Sequence, residues 1–215
     1  MLPATLFTVA CLAGTLVGEA RDDRRIKWVC KPLASAGFLA AACLTGATGS
    51  AYGQVVLAAL VLSFWGDVLL IPRNRKAFLA GLVAFLLGHV AFGAAFLVAG
   101  VAWPWVALGV PLAVAAALFH RWLAPKVPAK LQRPVIAYMA VITVMVALAA
   151  GAYGAGAPWL VPVGAVLFWL SDVSVALDRF AGAGFGNRLW GLPAYYAAQL
   201  LFAASVGGQT WPPMA

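Results

Sequence analysis

The sequence predicts an all-α polytopic membrane protein of eight transmembrane helices, and three observations lead there. Of 215 residues, 65% are hydrophobic and 9% charged, and the mean hydropathy is +0.98; soluble domains are only about half apolar. The apolar residues fall in runs of about 20, the length needed to cross about 30 Å of hydrocarbon. Basic residues interrupt those runs on alternate breaks only. Helices are the expected element, because a bilayer offers no water to backbone polar groups. The runs are apolar on every side, which excludes the alternating pattern of a membrane β-barrel.

The expected spans lie near 2–20, 32–48, 52–71, 77–100, 103–121, 134–152, 157–178 and 189–207, forming one transmembrane domain. The first has no basic residues ahead of it and is followed at once by several, so it reads as a retained helix rather than a leader. Its GTLVG stretch, Gly14 to Gly18, offers a small-residue face to a neighbour. Lys31 and Pro32 open the second span, either as a helix start whose lysine snorkels or as an anchor for a lipid phosphate. Trp103, Trp105, Trp122, Trp159 and Trp211 stand at span ends, as interfacial belt residues do. His120, beside Arg121, reads as interfacial too.

Every lysine and arginine follows an odd-numbered span. Arg21, Arg24, Arg25, Lys27 and Lys31 follow the first; Arg73, Arg75 and Lys76 the third; Arg121, Lys126, Lys130 and Arg133 the fifth; Arg179 and Arg188 the seventh. The positive-inside rule then places both termini outside the cytoplasm. The net charge of +8 is thus a signal of topology and of contact with anionic lipid, not of nucleic acid.

Two segments align without gaps: LAGLVAFLLGHVAFGA from Leu79 and LWGLPAYYAAQLLFAA from Leu189 share Leu, Gly, Leu, Ala, Phe and Ala. The preceding spans correspond as well, WGDV around Asp67 with LSDV around Asp172, and KPLA at Lys31 with RPVI at Arg133. The recurrence in one order, four helices apart, predicts a 4+4 parallel repeat with its axis along the membrane normal. Asp67 then faces Asp172, and His89 is equivalent to Gln199.

Of the six acids, Asp22 and Asp23 lie in a basic loop and are expected in solvent. Glu19 and Asp178 are expected to pair with the adjacent Arg21 and Arg179. Asp67 and Asp172 sit four to six residues inside their expected spans, about 6 to 9 Å at 1.5 Å per residue. A charge there costs several kcal/mol unless it faces a polar interior. Two such carboxyl groups close together do not both ionise readily, so one is expected to hold a proton beside an anionic partner. Ser63, one turn before Asp67, and Ser171, next to Asp172, suit a polar pocket around them. His89 is either a partner in that pocket or an interhelical donor, and Tyr195 and Gln199 either donate into it or join helices. Two histidines do not make a zinc site. Cys11, Cys30 and Cys43 have no metal or redox spacing. No cofactor is expected.

The ordered set KPL at Lys31, LSFWGDVLL at Leu62, FLAGLVAFLLGHVAF at Phe78, PVIAYMAVITVM at Pro134, LFWLSDVSVALDRF at Leu167 and YYAAQLLFAAS at Tyr195 resembles the YhhN-like lysoplasmalogenase family of eight-helix membrane enzymes. The resemblance implies hydrolysis of the vinyl-ether bond of a lysophospholipid to a fatty aldehyde and a glycerophospho-base, in a bacterial inner membrane. It implies that Lys31, Asp67, His89, Asp172, Tyr195 and Gln199 surround the active cavity, with the two aspartates as the acid and base. Lys31 and Arg133 are expected to hold the lipid phosphate. The residues also admit a proton-coupled transporter of a small amphiphile. Against that reading, no span is broken at mid-membrane and both acids lie off the midplane. An intramembrane aspartyl protease is disfavoured, because only the GD step of its motifs is present.

Overall fold

The computed structural model describes residues 1–72 and 74–207; Arg73 and Trp211, used above for topology and the aromatic belt, lie outside them. Among the described residues there is no strand. Eight long helices and one short one follow in order: α1 (Leu2–Ala20), α2 (Arg24–Leu44), α3 (Ala51–Leu69), α4 (Arg75–Val98), the single turn α5 (Trp103–Val106), α6 (Gly109–Leu123), α7 (Ala129–Gly154), α8 (Leu160–Phe180) and α9 (Phe185–Ser205). Seven stretches, with 103–126 counted as one, are long and apolar enough to cross a membrane. The protein is an integral membrane protein.

Local sequence explains the helix starts. Asp23 is not merely solvated: its carboxylate accepts from the amides of Arg25 at 2.8 Å and Ile26 at 3.2 Å, capping α2. Asp22 accepts from the Lys27 ammonium at 2.8 Å. Ser50 and Asn74 cap α3 and α4 in the same way, each satisfying one of the amide donors left open at a helix start. Because Asp23 starts α2 early, Lys31 and Pro32 lie inside that helix rather than at its head.

The fifth span is not continuous. Pro111 has no amide hydrogen, and its ring crowds the carbonyl of residue 107. The chain turns there through tight bonds, Leu108 to Trp105 at 3.1 Å and Val110 to Ala107 at 3.0 Å, before α6 begins.

α1 packs on α2, α3 on α4 and α8 on α9; α2 also meets α9, α4 meets α7, and α5 and α6 lie against α7 at the periphery. Small residues allow the closest approaches. A methyl added at Gly14 would stand 2.6 Å from Cys30 Sγ, so the GTLVG face does seat α2. One added at Gly66 would stand 2.6 Å from the Phe85 ring. The core is an aromatic column in which Phe92 and Phe202 meet at 4.2 Å and Phe92 lies 6.1 Å from Phe168. Val110 and Leu118, more than 60% exposed, present an apolar outer face, as lipid contact requires. α9 carries Asn187, Arg188 and Gln199 and, although the sequence leads one to expect a span at 189–207, it is not among those seven stretches; it is held by α8, α2 and α1.

The Gly66 contact generates a prediction. Gly66→Val is expected to force α3 and α4 apart and to cost about 1–3 kcal/mol, read as a lowered thermal midpoint in detergent. Gly49→Ala, where nothing lies within 4 Å, should leave stability within about 0.5 kcal/mol of the parent.

Candidate functional site

A cavity of about 440 Å³ opens among the helices, and both Asp67 and Asp172 line it. Asp67 lies in the last turn of α3, 2% exposed. A buried carboxylate requires donors, and Asp67 has three. The Lys31 ammonium lies 3.2 Å from Oδ1. The Ser35 hydroxyl donates to Oδ2 at 2.7 Å, and the Tyr195 hydroxyl donates to the same oxygen at 2.6 Å. Tyr196 supports Ser35 at 3.2 Å. Asp172 stands well inside α8 and has different partners. Tyr138 of α7 donates to its Oδ2 at 3.0 Å, and His89 Nε2 of α4 lies 3.1 Å from that oxygen, within ion-pair distance but off the hydrogen-bond axis.

The two carboxyl groups therefore share a cavity without bonding each other among the described residues. Tyr195, which bonds Asp67, lines the same cavity as Asp172. Lys31 is neither a snorkelling helix start nor a free phosphate anchor, because α2 carries it inward onto Asp67. Of the other residues singled out in the sequence, Tyr195 and Ser171 line the cavity and Ser63, His89 and Gln199 do not. Ser63 donates to the Ala59 carbonyl at 3.0 Å, and Ser171 to the Phe168 carbonyl at 2.8 Å. Gln199 is fully buried with neither amide atom partnered. His89 stacks on Phe168 at 4.3 Å behind Asp172. Arg133 is exposed and outside the cavity.

Sequence reasoning missed Ser35, Tyr138 and Tyr196. Ser35 is one turn from Lys31 on the same helix face, and Tyr138 is one turn beyond Pro134, so helical spacing from the two basic-proline pairs was the available signal. The expected pairs of Glu19 with Arg21 and Asp178 with Arg179 do not form. Arg188 at the start of α9 bonds both acids, reaching Asp178 at 2.7 Å and making a short contact to Glu19. Arg179 instead lies 4.1 Å over the Phe78 ring. Lys27 adds a longer pair to Glu19 at 3.6 Å. All four members of this network, Glu19, Lys27, Asp178 and Arg188, line the cavity at the basic end of the bundle. Among the described residues, no three His, Cys, Asp or Glu side chains converge to hold a metal ion.

A model of the YhhN family matches residues 26–206, a stretch that contains both aspartates and all their partners. The chain belongs to the YhhN family. Curated relatives include a protein named lysoplasmalogenase TMEM86A from Bos taurus, 31% identical over 70% of this chain and 64% of its own length. Another, named lysoplasmalogenase, from Mycobacterium tuberculosis, is 38% identical over 68% of this chain and 58% of its own length. The match thus spans somewhat under two thirds of either relative. No solved structure matches the chain.

The buried pair of this YhhN-family chain can be tested directly. Breaking a buried ion pair by removing one partner costs about 3–5 kcal/mol, whereas removing both charges is often neutral. Lys31→Met is therefore expected to lower the thermal midpoint sharply in detergent, and Lys31→Met combined with Asp67→Asn to recover most of the loss.

Proposed function

We propose that this chain is a membrane hydrolase that cleaves the vinyl-ether bond of a lysoplasmalogen, releasing a fatty aldehyde and a glycerophospho-base. The carrying observation is that two carboxyl groups on different helices line one cavity that runs from an apolar interior to a charged rim. The printed names of the relatives point to the same substrate class.

The cavity suits a single-chain lipid with its head group at the rim. Phe85, Ile142 and Trp169 supply apolar wall for the alkenyl chain. At the other end the head group meets the charged rim of Glu19, Lys27, Asp178 and Arg188, whereas Lys31, expected to hold the phosphate, is committed to Asp67 and Arg133 lies outside the cavity. The vinyl ether then falls between Asp67 and Asp172. An acid transfers a proton to the alkene carbon remote from oxygen, and the double-bond electron pair forms the new C–H bond. The oxocarbenium ion left behind is stabilised by the neighbouring carboxylate. Water adds to the carbon bearing oxygen and loses a proton to the site. The hemiacetal breaks its C–O bond as the ether oxygen gains a proton and the hydroxyl loses one, giving aldehyde and alcohol and restoring the acid.

The same reading includes α9 as an eighth crossing, a cytoplasmic position for the basic loops and both termini on the opposite face. It also includes a parallel repeat. In its support, each aspartate is bonded from the preceding helix of its own half, α2 or α7, and from the last helix of the other half, α9 or α4.

Aldehyde release from a lysoplasmalogen in mixed micelles tests the proposal. Asp67→Asn and Asp172→Asn are each expected to lower kcat by at least about 10²-fold in protein that still shows a cooperative thermal transition, at a lower temperature for Asp67→Asn because Lys31 loses its partner. Near-parental turnover by either folded variant removes the paired-carboxylate chemistry. Uptake of the lipid by proteoliposomes without aldehyde formation replaces the hydrolase by a transporter.

A further inference from the structure

The cavity beside the aspartates is too shallow for the chain that the proposed substrate carries. Along α8, away from the charged rim, its deepest lining residue is Trp169, three residues beyond Asp172, or about 4.5 Å at 1.5 Å per residue. Above that level Phe92, Phe168 and Phe202, all fully buried, fill the middle of the bundle. One lipid chain spans a single leaflet, half of a hydrocarbon core of about 30 Å, or about 15 Å. A chain whose vinyl ether lies between Asp67 and Asp172 therefore has to leave the interior of the bundle.

The cavity wall indicates where it leaves. α2, α3, α4, α7, α8 and α9 each pack on the next and close a ring. α6 lies outside that ring against α7, yet its Phe119 lines the cavity together with Met139 of α7 and Phe180 of α8. These three side chains pack against an apolar cluster around Leu123 and Val135 that is separate from the main core. The cavity thus passes between α7 and α8 to the face that α6 covers.

On the same face, further from the rim, lies a second cavity of about 170 Å³, with Leu112, Val146, Ala150, Pro162 and Val166 in its wall and no polar side chain among its lining. The two cavities share their helix faces. On α7, Met139 and Ile142 of the first lead to Val146 and Ala150 of the second; on α8, Val173 and Trp169 lead to Val166 and Pro162. Every step is three or four residues, the spacing that keeps side chains on one helix face. Trp169 and Val166 are less than one turn apart, so little separates the two linings. From Asp172 to Pro162 is ten residues, about 15 Å, which matches the length of a leaflet chain.

We infer that the alkenyl chain of the substrate passes between α7 and α8 and ends in the pocket of Leu112, Val146, Ala150, Pro162 and Val166, which makes that pocket the subsite where chain length is read. The inference rests on the proposed cleavage for the identity of its occupant. The continuity of the faces with the aspartate cavity favours the substrate's own chain over that of a bulk bilayer lipid.

Two measurements test it. In turnover, Val166→Trp and, independently, Ala150→Phe are expected to lower the ratio of kcat/KM for an octadecenyl over a decenyl lysoplasmalogen by about tenfold. Val166 is 41% exposed, so its replacement has room on the lipid side. Val90→Trp, at a lipid-facing position of α4, should keep the parental ratio. A parental ratio in both pocket variants overturns the subsite and leaves the hydrolase standing. In binding, an alkyl-ether lysophospholipid, which lacks the reactive double bond, carries a photoreactive diazirine on its last chain carbon. Its label is expected on residues 108–112 and 162–166 of the parental protein and is expected to be lost from them in Val166→Trp. Equal labelling of these residues by a diacyl phospholipid with the same diazirine makes the groove a bilayer-lipid site and overturns the inference. Selective labelling by the lysophospholipid in a protein that releases no aldehyde sustains the subsite and refutes the hydrolase reading alone.

Discussion

A carboxylate moved from water into an apolar bundle survives as an anion only where donors and a counter-charge converge on it. Asp67 imposes that condition on α2, α3 and α9 together. Lys31 and Ser35 must share one face of α2, Tyr195 must come from α9, and both helices must approach the last turn of α3. The small residues follow from the same need. Gly66, beside Asp67, lets the Phe85 ring close against α3, where it forms part of the cavity wall. Helix order, residue size and hydrogen bonding are thus consequences of one buried charge.

Asp172 is set in the opposite manner. Its hydrogen-bond donor is the Tyr138 phenol rather than an ammonium, with the His89 imidazole beside it off the hydrogen-bond axis, and it is open to the cavity where Asp67 is almost closed off. Two identical side chains in one space come to differ because one receives three donors, an ammonium among them, and the other a single phenol beside an imidazole. Like-charged pairs elsewhere are separated in function by this kind of environmental contrast.

Much of this was readable in the chain. Apolar runs, alternate basic loops and acids at span interiors gave the helices and singled out the two aspartates, since hydropathy and charge are local properties of sequence. What could not be read were partnerships across helices. Pro32 was taken for a helix start, although membrane helices tolerate an internal proline, and the true start was set by the Asp23 cap. Glu19 and Asp178 were assigned to their sequence neighbours, yet both bond Arg188, because the first turn of α9 is brought between the ends of α1 and α8. Ser35, Tyr138 and Tyr196 escaped notice because a single hydroxyl in an apolar helix has no sequence signature apart from its spacing to a known partner. The fifth span, expected to run unbroken over 103–121, is divided between α5 and α6, because hydropathy alone does not register the effect of Pro111 on residue 107.

α9 falls outside the seven stretches long and apolar enough to cross a membrane, and it brings Tyr195 to Asp67 and Arg188 to the rim. Residues made earlier in synthesis must already form the berth that receives it. Until it docks, Asp67 lacks one of its donors and the rim lacks the arginine between its acids. Insertion of α9 and completion of the site are therefore joined: a nascent chain halted before this segment holds both carboxyl groups in a chamber that lacks Tyr195 and Arg188, and the chemistry proposed for it waits on their arrival.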